Sequence, residues 1–100
     1  MEITKSLEKG CCTFTLKGKF TFADNQRFRE ALDCIAEEGV RQIAFHLAQV
    51  DFIDSAALGM LLLAKDEAEK YKKPTLLCGA AGQVKKMFDV ARFEEYFTIE

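Results

Sequence analysis

The chain has 100 residues, 49% of them hydrophobic, enough to bury one core of its own. Fourteen Lys and Arg residues stand against 16 Asp and Glu, a formal net charge of −2 with no basic stripe, which argues against direct nucleic-acid binding. No apolar run approaches the roughly 20 residues that span a bilayer, and Met1-Glu2-Ile3-Thr4-Lys5 lacks a signal-peptide pattern, so no membrane insertion and a cytoplasmic location are expected.

Ile3 to Leu7 and Cys11 to Leu16 are short alternating segments joined around Lys9-Gly10, which predicts an N-terminal hairpin with glycine supplying the turn. After Gly18-Lys19-Phe20-Thr21, either Thr21 or Asp24 is placed to cap a helix. Phe28, Ala31, Leu32 and Ile35 repeat in it at i, i+3, i+4 and i+7. Gly39 is expected to close that helix as its C′ residue. Gln42 to about Ala48 forms a short apolar run flanked by charge, the pattern of a buried strand.

Ala56 to Tyr71 is long and free of proline, and Lys72-Lys73-Pro74 ends it as a helix. Thr75 to Cys78 reads as a further strand. A third helix carries Val84, Met87, Phe88 and Ala91 on one face, and Phe93, Phe97 and Ile99 act as terminal apolar anchors. The order is β-β-α-β-α-β-α, which implies right-handed crossovers and a largely parallel sheet after the hairpin. Residues 1–100 contain no linker, low-complexity tract or repeat, so a single domain is expected.

Between the buried strand and its helix lies Asp51-Phe52-Ile53-Asp54-Ser55, an acidic loop that delivers a serine to a helix start. First-turn N–H groups there lack intrahelical partners, and the helix dipole favours negative charge. Two roles are open to Ser55. Ser55 or Asp54 can serve as an ordinary cap, worth about 0.5–2 kcal/mol. Alternatively, Ser55 is a phosphoacceptor that gains roughly −1.5 to −2 charges at pH 7.

Catalytic alternatives find little support. His46, the one histidine, is nine residues upstream on a strand, and no G-x-S-x-G elbow, phosphate-cradling G-x-x-x-x-G-K-[ST] or G-x-G-x-x-G occurs. Asp51, Asp54 and one hydroxyl are too few to hold magnesium. The cysteines Cys11, Cys12, Cys34 and Cys78 lack C-x-x-C spacing, so they read as reduced thiols, not a zinc site. No catalytic residue, metal or cofactor is expected, and the chain reads as a binding partner, not an enzyme. Lys65, Asp66, Glu67, Glu69 and Lys70 read as a solvated, self-paired helix face. Phe14, Phe20, Phe28, Phe45, Phe88 and Phe93 are expected in the core, whereas an exposed Phe22 or Phe52 would suit partner anchoring.

Asp51-Phe52-Ile53-Asp54-Ser55-Ala56 followed by Leu58-Gly59, between a buried strand and a helix, resembles the phosphorylation loop of the STAS domain of bacterial anti-sigma factor antagonists. The likeness covers nearly the whole chain, including the hairpin, Gly18-Lys19-Phe20-Thr21, Lys73-Pro74-Thr75-Leu76-Leu77 and the closing Val84 to Phe97 segment. It implies an α/β, STAS-like fold: a mixed sheet of about four to five strands, an N-terminal hairpin, a largely parallel core and about three main helices. It also implies that Ser55 is phosphorylated by an anti-sigma factor that is itself a serine kinase, which the unphosphorylated antagonist captures. A serine phosphatase resets the switch, and ATP and magnesium belong to the kinase. On this likeness Asp51, Phe52, Ile53 and Asp54 shape the loop, while Ala56, Ala57, Met60 and Asp24 contribute to partner docking. Ala57 stands where family members commonly carry glycine, a change that favours helix by about 0.8–1.0 kcal/mol. The alternative is a constitutive STAS subunit of a transport or stress-signalling assembly.

Overall fold

A computed structural model describes residues 1–100. β1 (Glu2–Glu8) and β2 (Cys11–Phe20) form the expected hairpin. Lys9 and Gly10 both have positive φ, 51° and 83°, as a two-residue hairpin turn requires. β2 pairs in parallel with β3 (Gln42–Ile53), β3 with β4 (Thr75–Cys78), and β4 with the two-residue β5 (Thr98–Ile99). The sheet order is β1-β2-β3-β4-β5, with only the hairpin antiparallel. This is the mixed α/β sheet that the sequence implied.

Three helices fill the crossovers: α1 (Asn25–Ala31), α2 (Ser55–Lys70) and α3 (Gly82–Val90). One core holds Phe14, Phe20, Phe28, Phe45, Phe88 and Phe93, all six of the phenylalanines expected there. Phe14 stacks on Phe45 with ring centroids 5.1 Å apart, and Phe28 on Phe45 at 5.7 Å. Such offset pairs add to the area they bury. α2 turns Ala57, Met60, Leu61, Ala64 and Ala68 inward, a stripe at i, i+3, i+4, i+7 and i+11. Its other side carries the expected ion pairs, Lys65 to Glu69 and Lys70 to Glu67, each at 2.8 Å. Those carboxylates raise the pKa of both lysines, chiefly through the hydrogen bonds themselves.

Three expectations need correcting. The first helix does not run to Gly39. α1 stops at Ala31, a 3-10 turn over Leu32–Ala36 follows, and Gly39 does not take up positive φ. The free carbonyls there are taken from far along the chain, since the Lys73 ammonium donates to the Ile35 and Glu37 oxygens. Second, β3 continues five residues past Ala48. Register shifts between Thr15 and Lys17 and between Gly18 and Lys19 keep β2 beside it. Burial along β3 takes in Ile43, Ala44, Phe45 and Leu47, then Val50 and Ile53, so it does not keep strict alternation. Third, Ile99 is no anchor: as part of the edge strand β5 it is 43% exposed.

Candidate functional site

β3 ends at Ile53, so Asp51, Phe52 and Ile53 are strand residues and Asp54 alone separates strand from helix. The expected acidic loop is thus a sharp bend, because Phe52 and Ile53 still pair with Lys19 and Phe20 of β2. Two contacts hold the bend. The Asp54 N–H donates to the Phe20 carbonyl at 3.3 Å, extending the parallel ladder by one bond. The Gln83 side chain, in the first turn of α3, donates to the Ile53 carbonyl and accepts from the Ile53 N–H, both at 2.9 Å. Gln83 was not anticipated, and no local spacing marks it.

Asp54 is the N-cap of α2. Its Oδ1 accepts from the Ala57 N–H at 2.8 Å, and its Oδ2 from the Phe22 N–H at 3.1 Å. One carboxylate therefore stabilises the helix start and fixes the 3-10 turn Phe22–Asp24 beside it. Of the four N–H groups at the start of α2, those of Asp54 and Ala57 are satisfied by Phe20 and Asp54. Ser55 and Ala56 carry the other two, the pair a helix N-terminus presents to an anion.

Because Asp54 makes the cap, the Ser55 hydroxyl is released from that duty. Ser55 is the first residue of α2 and is exposed. Around it lie Phe22, 68% exposed, and Phe52, 40% exposed, with the exposed Asp51 at the end of β3. Along the helix from Ser55 runs an open groove of about 550 Å³. Leu58, Gly59 and Leu62 of α2 form one wall, and Phe93 and Tyr96 the other.

Other anticipated docking residues fall elsewhere. Ala57 and Met60 belong to the inward stripe of α2, 0% and 5% exposed, so they pack on the core and are not on the free surface. The Ala57 methyl, in place of the family's common glycine, accordingly meets this chain's own core. Ala56 is half-buried, at the rim between the two faces. Asp24 is also withdrawn, at 5% exposed. Its Oδ2 accepts from the Thr21 N–H at 3.0 Å, and its Oδ1 faces the Met1 ammonium at 3.4 Å and Arg27 at 3.7 Å. It shapes the turn from within, and its side chain does not cap α1. His46 is exposed in mid-strand, away from the bend, and forms no pair with Ser55.

This sheet order is matched by sequence as well as by shape. The STAS domain family matches residues 2–100. The chain belongs to the STAS domain family. A STAS-domain-containing protein of Pseudomonas aeruginosa is 33% identical over 87 residues, covering 87% of this chain and 85% of that one. BtrV of Bordetella bronchiseptica, provisionally named an anti-sigma factor antagonist, is 23% identical over 99% of this chain and 85% of its own length.

Among solved structures, the anti-sigma factor antagonist SpoIIAA in its unphosphorylated form superposes with a TM-score of 0.80 at 18% identity, covering 99% of this chain and 87% of that one. Its phosphorylated form, from Bacillus, gives 0.78 at 17% identity, over 99% and 91%. The STAS fold also matches part of the murine anion transporter Slc26a9, with a TM-score of 0.75 at 18% identity over 94% of this chain and 16% of the transporter. At these identities the structural matches establish the fold, which is that of anti-sigma factor antagonists.

Proposed function

We propose that this STAS protein is an anti-sigma factor antagonist switched by phosphorylation of Ser55. The observation that carries the reading is the division of labour at the bend. Asp54 caps α2, which leaves the Ser55 hydroxyl exposed and outside the helix's own hydrogen bonding. In this reading the unphosphorylated protein binds an anti-sigma factor that is also a serine kinase, and a serine phosphatase restores the hydroxyl. The protein itself is a binding module, and ATP and magnesium come with the kinase.

The switch follows from electrostatics at the helix start. A phosphate on Ser55 lies next to the free Ser55 and Ala56 N–H groups, so the fold tolerates the added charge. A partner seated over Phe22, Phe52 and the α2 groove covers that position. It then has to desolvate a dianion beside Asp51 and Asp54, where before it met a neutral hydroxyl. The desolvation cost arises only in the complex, where water no longer screens the dianion, which is what a switch needs.

Incubation with the cognate kinase and ATP, followed by phosphopeptide mapping, is expected to place the phosphate on Ser55. In partner capture, Ser55→Ala is expected to bind and Ser55→Asp to bind more weakly. Phosphate found only elsewhere, or equal capture by both variants, contradicts the reading. A second reading, a constitutive subunit of a transport assembly, is favoured by the likeness to the anion transporter. Recovery of transporter subunits with no kinase in pull-downs would select it.

A further inference from the structure

Cys12 in β2 and Cys34 in the 3-10 turn Leu32–Ala36 are both buried, and their sulfur atoms stand 2.7 Å apart. That is closer than non-bonded sulfurs normally rest, though longer than the ~2.05 Å of a covalent bond. The pair is not sealed in the core. A surface cavity of about 180 Å³, bordered by Lys5, Ser6, Leu7, Glu37 and Val40, reaches both residues. Cys12 pairs with Ile43 at the start of β3, so this cavity lies at the opposite end of that strand from Ser55. All four cysteines are free thiols, and Cys11 and Cys78 are half-buried where Cys12 and Cys34 are buried.

We propose that Cys12 and Cys34 form a reversible dithiol site that low-molecular-weight disulfides oxidise to an intramolecular disulfide. One cysteine thiolate attacks a sulfur of the reagent RSSR and expels RS⁻, giving a mixed disulfide. The second thiolate attacks the protein sulfur of that intermediate and expels the other RS⁻. Two cysteine S–H bonds and the reagent's S–S bond are broken. One protein S–S bond and two RSH molecules are formed. The two electrons lost by the cysteines reduce the reagent, whose thiols carry away both protons.

The new bond joins residues 22 apart in sequence and ties the hairpin to the turn after α1. It restricts the unfolded chain, so oxidation stabilises the fold. The surroundings also set the rate. Burial, then the hydrogen bond and charge of Cys34, push the Cys12 thiol up to about 12, while the Lys5 ammonium acts in the opposite direction. Since the thiolate is the nucleophile, oxidation is slow at neutral pH and accelerates as pH rises.

The test uses the whole chain with oxidised glutathione under native conditions, followed by unfolding, alkylation and tandem mass spectrometry. A Cys11→Ser variant makes Cys12 the only cysteine on its peptide. The expected product is a Cys12–Cys34 cross-link, reversed by dithiothreitol, with a melting temperature higher by on the order of 10 °C. Its formation is expected to quicken with pH and to slow several-fold in Lys5→Glu. Recovery of Cys12 and Cys34 fully alkylated, with glutathione only on Cys11 or Cys78, would overturn the proposal. So would cross-links between molecules only. The wild-type chain is mapped alongside, and a cross-link between its Cys11-Cys12 peptide and the Cys34 peptide is expected there too, so the absence of that cross-link overturns the proposal whether or not a variant folds.

Discussion

Two strand-to-helix junctions in this protein use an aspartate for opposite purposes. At the end of β2, Asp24 turns inward. It is 5% exposed and is held by the Thr21 N–H, the Met1 ammonium and Arg27. At the end of β3, Asp54 stays half-buried and spends both oxygens on backbone donors, Ala57 of its own helix and Phe22 of the other junction. The first junction therefore consumes its polar groups internally and serves the fold. The second satisfies the bend with one carboxylate and leaves the next side chain, Ser55, facing outward. Where a cap residue and its exposed neighbour divide their tasks, the neighbour can be chemically modified without loss of the helix start.

The Phe22–Asp54 hydrogen bond couples the junctions, and breaking it has the largest expected effect. Asp54→Ala removes the cap of α2 and the anchor of the Phe22 turn together, and is expected to cost about 2–3 kcal/mol in urea unfolding. It should also lower partner capture, because Phe22 and Ser55 lose their fixed relation. Asp24→Ala is expected to cost less, about 1–2 kcal/mol, because it strips one turn and leaves Asp54 in place. Equal costs for the two would remove the asymmetry.

Gln83→Ala sharpens the comparison, since only the β3 junction is braced from a distant helix. A loss of about 1 kcal/mol is expected, with faster amide hydrogen exchange concentrated at Ile53 and Asp54. Phe22→Ala is expected to change stability by less than about 0.5 kcal/mol, given its exposure, while weakening capture. Ser55→Ala should be nearly silent in unfolding, within about 0.5 kcal/mol. A larger loss would mean that Ser55, too, works as a structural cap.

What could be read in the sequence was local. The Lys9-Gly10 turn, the end of α2 before Pro74 and the phenylalanine core depend on neighbours in the chain or on apolar spacing, and all appear as expected. The end of the first helix did not, because Lys73 supplies its terminal donor from far along the sequence. The extent of β3 was missed because bulges in β2 break the alternation by which strands are recognised.

At the site, the serine and its position were legible, whereas the burial of Ala57, Met60 and Asp24, expected at a docking surface, was not. The inward stripe Ala57, Met60, Leu61, Ala64 and Ala68 has plain helical spacing, and it places the outward groove on Ser55, Leu58, Gly59 and Leu62. The Gln83 bracket left no sequence signal, since a glutamine opening a helix has no distinctive local pattern.

The most direct test is calorimetric titration of the anti-sigma kinase with two forms of the protein, unmodified and stoichiometrically phosphorylated on Ser55. The account predicts that phosphorylation weakens binding by roughly 5- to 150-fold, with the circular dichroism of the free protein unchanged. Identical dissociation constants for the two forms would contradict it.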